Sequence, residues 1–213
     1  MESLSITDLR EIIAAIAAIM VEKKEELIAL DGAMGDGDLG LTMEKAFTAA
    51  KEEADKLEEA DAGKFLMKLG MTIARMAPST MGTLVATGFM SGGKAVTGTA
   101  ALGMKETAAF FEAFVAGIMQ RGKSKPGEKT LVDVLHPAAQ ALSAAAAAGV
   151  GMKEAFHRCQ AAAAQGLEQT KEMIAQHGRV AYYQEQSKGK VDPGAVAATY
   201  ILKGFFNTID SRA

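Results

Sequence analysis

Apolar residues recur three and four positions apart along almost the whole chain, the period of one face of a helix and not of a strand. Leu9, Ile12, Ile13, Ile16, Ile19 and Met20 show it first, with Glu and Lys on the opposite side. Met43, Phe47, Ala50, Ala54 and Leu57 repeat it. Alanine is the commonest residue and Val and Ile are modest, which favours helix again. The spacing predicts helices over about 5–30, from the low forties to 59, and over 63–77, 82–97, 104–121, 130–149, 151–177 and 193–210. Ser5 and Asp8 stand where a capping box would open the first. Short connections make neighbours antiparallel, and Ala- and Gly-rich stripes let axes approach closely. The expected fold class is therefore all-α, an up-and-down bundle or barrel of eight antiparallel helices.

Composition excludes several functions. The 213 residues, 49% hydrophobic, suit one domain over 1–213 with a core that needs no covalent staple, and the lone Cys159 has no disulfide partner in the chain. A net charge of -3 without Lys/Arg blocks gives no footprint for nucleic acid or an anionic membrane. No apolar run approaches the ~18 residues of a membrane span. The start, MESLSITDLR, lacks the basic and apolar regions of a signal peptide, so a soluble cytoplasmic protein is expected.

Four connections are more than turns: 31–40, 78–82, 122–129 and 178–192. Helices that alternate in direction would bring all four to one end. The first holds Asp31, Asp36 and Asp38 among Gly32, Gly35, Gly37 and Gly40. Three carboxylates so close repel one another unless protonated, splayed or neutralised by a cation, and the glycines allow them to converge. Hard oxygen ligands suit Mg²⁺ or Ca²⁺. An EF-hand fits poorly, since the twelfth position from Asp36 is Phe47 instead of Glu. Mg²⁺ completed by substrate phosphates at a helix start is the sharper reading, and a solvated Asp/Gly turn the plainer one.

Pro78-Ser79-Thr80-Met81-Gly82-Thr83 opens a helix with hydroxyls and free N–H groups, a Ser/Thr cap that can also hold an anion. Gly88 to Lys94 has the spacing of a phosphate-binding P-loop, but Ala95 stands where Ser or Thr must ligate Mg²⁺. Lys94 is expected to be a surface charge. Arg121 to Lys129 is the most basic window, ending in Thr130 with Asp133 at capping-box spacing. Arg179 follows His177-Gly178 without an obvious structural duty, and Asp192-Pro193 is a standard helix start. His136, His157 and His177 form no metal set, and no Ser/His/Asp or Cys/His arrangement is identifiable.

Gly35-Asp36-Gly37-Asp38 with Asp31 upstream, Arg121-Gly122-Lys123 followed by Pro126-Gly127 and Lys129-Thr130, Gly178-Arg179 with Tyr182, and Asp192-Pro193-Gly194-Ala195 together resemble the nucleotide-binding L subunit of dihydroxyacetone kinases (DhaL) in order and spacing over about residues 5–210. The resemblance implies a barrel of eight antiparallel helices that binds ADP/ATP and two Mg²⁺ ions in the loops at one end. It makes Asp31, Asp36 and Asp38 the metal ligands. Leu39, Gly40, Leu41 and Thr42 would meet the phosphates, as would Ser79, Thr80 and Met81. Gly122 and Leu131 would border the adenine, and Arg179 with Asp192, Pro193 and Gly194 would close the site. Asp31, Asp36, Asp38 and Arg179 are the residues implied for catalysis.

By the same resemblance the chain is one component of a Mg²⁺-dependent kinase for dihydroxyacetone or a related short ketose, inactive without a DhaK-like subunit that holds the substrate. A DhaM-like phosphohistidine carrier of the phosphotransferase system would recharge its ADP, and a homodimer is a further possibility. Alternatives are an ATP-dependent ketose kinase subunit, a regulatory Mg·ADP-binding module that has lost turnover, and a purely structural bundle. Two departures bear on donor and substrate. Leu39 and Thr42 stand where many phosphotransferase-linked members have His and Asn, and Pro78-Ser79-Thr80-Met81-Gly82 replaces a glycine-rich segment.

Overall fold

The computed structural model describes residues 2–212; Met1 and Ala213, the two ends of the expected domain, lie outside the described residues. Its α-helices are α1 (Ile6–Glu22), α2 (Lys24–Gly32), α3 (Leu39–Lys56), α4 (Ala62–Met76), α5 (Thr80–Ala95), α6 (Met104–Gly122), α7 (Val132–Ala147), α8 (Met152–Gln169) and α9 (Pro193–Ser211). Two 3-10 segments, Thr170–Glu172 and Arg179–Ser187, lie between α8 and α9. Strands β1 (Ser3–Ser5) and β2 (Ala101–Gly103) form a short antiparallel ribbon.

Helix α1 begins as its sequence dictates, with a reciprocal capping box between Ser5 and Asp8. Packing then closes a ring: α1 lies against α3, α3 against α4, and so on in chain order to α9, which returns to α1. The starts of α3, α5, α7 and α9 meet at one end of this ring. The other end carries the β ribbon, the starts of α1 and α4, and the Lys153–Asp210 pair that joins the start of α8 to the end of α9. The all-α antiparallel expectation therefore holds. No helix among the described residues is long and apolar enough to cross a membrane.

The middle of the ring is filled by rings of another kind. Phe89 meets Phe47 and Phe114 edge-on, and Phe111 meets Phe205 and Phe110 in the same way. Each fully buried Phe contributes roughly 1.5–3 kcal/mol relative to an exposed one. These side chains need facing notches. A Cβ on Gly88 would lie 2.8 Å from the Phe114 ring, and one on Gly92 2.6 Å from Phe110. Gly88 and Gly92 of the P-loop-like run are thus interior positions of α5 that admit neighbouring aromatics, Gly93 lets α4 approach at Gly63, and Lys94 is an exposed charge in the last turn.

Three elements depart from the sequence expectation. The helix expected over 5–30 breaks at Lys23 (φ -95°, ψ 6°), because α2 leaves α1 to pack on α3 and α9. Gly40 makes that crossing so close that a Cβ there would fall 2.2 Å from the Lys24 carbonyl oxygen. The helix expected over 151–177 stops at Gln169 and tightens into the 3-10 turn Thr170–Glu172, whose first carbonyl accepts from the Met173 amide at 3.3 Å and from the Lys129 ammonium at 2.5 Å. Residues 101–103, read as a loop, pair with 3–5 and bury Leu4 against Leu102.

Candidate functional site

Asp31 lies in the last turn of α2, and the turn after it is wound around its own backbone. The amides of Met34 and Gly35 donate to the Asp31 carbonyl at 3.1 and 2.6 Å, and buried Met34 anchors the turn in the core. Gly37 takes φ 72°, and a Cβ on Gly35 would strike Asp31 Oδ1 at 2.3 Å. This winding returns Asp36 and Asp38 to Asp31, so that one oxygen from each lies within 4.8 Å of the others. The Leu39 amide, first in α3, donates to Asp31 Oδ2 at 3.3 Å.

The charge in this cluster is not balanced locally. Arg179 reaches Asp36 at 2.7 Å and is the one cation paired with it among the described residues. Partial burial, followed by the charges of Asp36 and Asp31, raises the pKa of Asp38 above the ordinary carboxylate range, against the pull of Arg179. Three hard oxygen donors with surplus negative charge fit a divalent cation of the Mg²⁺ type.

Three further helix ends face the same opening. Ser79 caps α5 by accepting from the Gly82 amide at 3.1 Å, which leaves the N–H groups of Thr80 and Met81 without intrahelical acceptors. Asp192 caps α9 by accepting from the Ala195 amide at 2.7 Å, with Pro193 at the first helical position. Burial pushes the Asp192 carboxyl up to about 7, although the Ala195 amide and Lys129 favour its charged form. Ahead of α7, the Thr130 amide donates to Asp133 Oδ2 at 2.7 Å, one half of the expected box. The Thr130 hydroxyl accepts from Val132 instead, at 3.1 Å.

Together these elements enclose a cavity of about 440 Å³. Of the residues singled out from the sequence, Asp31, Asp36, Asp38, Leu39, Ser79, Thr80, Met81, Leu131, Arg179, Asp192, Pro193 and Gly194 line it. Gly40, Leu41 and Thr42 do not. Gly40 is buried at the α2–α3 crossing, Leu41 is half exposed, and the Thr42 amide is engaged with the Asp38 carbonyl inside α3. Gly122, last in α6, lines a neighbouring cavity of about 690 Å³ that shares Pro78, Ser79, Thr80 and Leu84 with the first.

Sequence reasoning assigned no site role to Lys129, named only within the Lys129-Thr130 motif, or to His177, and both lie on the cavity wall. Lys129, the last residue of the basic window, is 1% exposed. His177, expected at a helix end, lies in a loop with Nε2 2.7 Å from Glu128 Oε2, and that contact holds the Glu128 carboxyl below its usual range. Nothing local marks either residue as buried or paired. Cys159 is no nucleophile, since burial pushes its thiol up to about 12.

Residues 33–207 match the family model for the DAK2 domain. The chain is 29% identical over 201 residues to the Escherichia coli (strain K12) protein named PEP-dependent dihydroxyacetone kinase, ADP-binding subunit DhaL, covering 94% of this chain and 96% of that one. It is 32% identical to a Listeria innocua PEP-dependent dihydroxyacetone kinase 1, ADP-binding subunit DhaL, with 88% of each chain covered. Among solved structures, the dihydroxyacetone kinase from C. freundii in complex with AMP-PNP and Mg²⁺ superposes with a TM-score of 0.71 at 22% identity, over 93% of this chain. Because this chain spans only 33% of that kinase, the match speaks for the fold alone. The family model and the two DhaL subunits, which match along nearly their full lengths, lead to one conclusion: the chain belongs to the DAK2 domain family and is of the DhaL type.

Proposed function

We propose that this chain is the ADP/ATP-binding, phosphoryl-transferring subunit of a multi-subunit kinase for dihydroxyacetone or a related short ketose. The observation that carries the reading is the convergence of Asp31, Asp36 and Asp38, across from Arg179, in a cavity that also receives the starts of α3, α5 and α9. Carboxylates bind metal, N-terminal amides bind phosphate, and one guanidinium spans the two.

Phosphoryl transfer asks mainly for positioning and charge neutralisation. In this reading Asp31, Asp36 and Asp38 hold two Mg²⁺ ions, which neutralise the developing phosphate charge when bound. The amides at Thr80 and Met81 orient the phosphate oxygens, and Leu39, whose own amide is bonded to Asp31, lines the cavity beside them. Arg179, anchored by one carboxylate and otherwise solvent-exposed, is free to turn its remaining N–H groups to a terminal phosphate. Leu131 and, through the adjoining cavity, Gly122 face the base.

The metal loop offers no acceptor-anchoring group, since Leu39 follows Asp38. The acceptor is therefore assigned to a DhaK-like partner, and the resupply of phosphate to a DhaM-like phosphohistidine carrier. A single functional unit over 1–213 in the cytoplasm completes the reading.

Calorimetry of the purified chain with ADP, with and without Mg²⁺, tests the central assignment. The expected result is binding that requires the metal, and its absence at every accessible concentration overturns the reading. Turnover of dihydroxyacetone with a DhaK-like subunit, supplied either with ATP or with phosphorylated carrier, then identifies the donor.

A further inference from the structure

The loop between α8 and α9 carries Arg179 roughly midway along it, far in sequence from either helix. Such a long connection would ordinarily leave that side chain wandering. The structure closes its base instead. Residues 170 and 190 bracket the loop, and the Lys129 ammonium donates to the carbonyl oxygens of both, each at 2.5 Å. The Gly189 amide adds a bond to the Lys171 carbonyl at 2.7 Å, next to the clamp.

Lys129 is placed at some cost. It is 1% exposed and takes φ 59°, a left-handed conformation uncommon outside glycine. An ammonium taken out of water is strongly disfavoured unless paired. Compensation comes from the two carbonyls and from Asp192, Asp133 and Glu172 nearby, and burial still draws its pKa below the ordinary lysine value. The Thr170 carbonyl also accepts from the Met173 amide at 3.3 Å, so the ammonium is a second donor to an oxygen at the end of the 3-10 turn. A turn that needed only to connect α6 to α7 would have no use for this arrangement. The preceding residue grips the same loop, with Glu128 contacting His177 at 2.7 Å and its carbonyl accepting from the Gln176 amide at 3.2 Å.

We infer that Lys129 is a positioning residue for phosphoryl transfer, closing the base of the 170–190 loop so that Arg179 is held opposite Asp36. The inference rests on the reading of the cavity as a Mg·nucleotide site. It differs from a ligand role for Lys129, because its effect passes through Arg179.

A double-mutant cycle on the full chain separates these. Lys129→Met should weaken Mg·ADP binding tenfold or more in calorimetry, and Lys129→Arg should recover most of the loss. In an Arg179→Ala background, Lys129→Met should cost less than threefold further. Hydrogen exchange of the amides in 171–190 should rise in Lys129→Met, while those of α4 and α5 stay as in the parent. Binding within twofold of the parent, or the same tenfold loss with Arg179 already removed, overturns the inference. If Lys129→Met does not fold, Lys129→Gln carries the same cycle. A parent chain that shows no Mg-dependent ADP binding defeats the reading of the site instead, and the clamp is then judged by exchange alone: unchanged protection of 171–190 in the variant overturns it.

Discussion

The two ends of the helical ring treat charge in opposite ways. At the end with the β ribbon, acidic groups are satisfied close at hand. Asp8 completes the cap of α1 and pairs with Arg212, which also meets Glu11, while Asp61 caps α4 and accepts from the Gly98 amide at 2.8 Å. At the other end three carboxylates share one guanidinium, and a fourth, Asp192, is buried far enough to titrate near neutrality. The first end uses acids to finish helices. The second holds more negative charge than its own residues balance, which is what a site completed by a cation requires.

The largest effect should come from removing that surplus. Asp36→Asn or Asp38→Asn should abolish measurable Mg·ADP binding in calorimetry while leaving the far-ultraviolet circular dichroism of the helices unchanged. Without metal, Asp38→Asn should also melt slightly higher than the parent, since the substitution relieves repulsion from Asp36 and Asp31. Parent-like binding by either variant would remove the distinction between the two ends.

The next effect is one of pH. Burial raises the Asp192 carboxyl to about 7, whereas the unfolded chain titrates near 4. The folded protein therefore binds more protons than the unfolded one between those values, and stability through this group rises as pH falls from about 7 to 4. The contribution is on the order of a few kcal/mol. Asp192→Asn keeps a capping oxygen but cannot titrate, so denaturant unfolding at a series of pH values should show a flatter profile than the parent. An identical slope in parent and variant would show that Asp192 is charged throughout.

Smaller still is a matched pair of serine caps. Ser5→Ala at the ribbon end and Ser79→Ala at the cavity end should each cost about 1 kcal/mol of stability. Only the second should also weaken Mg·ADP binding, by several-fold, because Ser79 shapes the N–H groups that face the cavity. Equal binding in the two variants would mean that the start of α5 does not contribute to the site.

What the sequence made legible follows the same division of local from distant. The boxes and caps at Ser5, Ser79 and Asp192 are read correctly because each bond spans three residues. The convergence of the three carboxylates is legible because the glycines that fold their loop lie among the acids. The Lys129–Thr170 bond spans 41 residues, and Arg179 meets Asp36 from the opposite side of the sequence. Helical periodicity carries no trace of such contacts, and for that reason the break at Lys23, the end of α8 and the burial of Lys129 all escaped it.

The smallest effect separates a motif from a site. Read by spacing alone, Gly88 to Lys94 would make Lys94 a phosphate-binding lysine. The fold puts it in the last turn of α5, a helix of 16 residues whose first turn is at the cavity, so about 20 Å of helix axis lies between Lys94 and the carboxylates. Gly88 and Gly92 face Phe114 and Phe110, Gly93 faces the Gly63 carbonyl and Met67 of α4, and none has a loop to form. Lys94→Ala should therefore change Mg·ADP affinity by less than about twofold and stability by no more than about 0.5 kcal/mol, as for other exposed positions. A tenfold loss of affinity would place phosphate at the ribbon end, and the contrast in charge between the two ends would then have pointed to the wrong one.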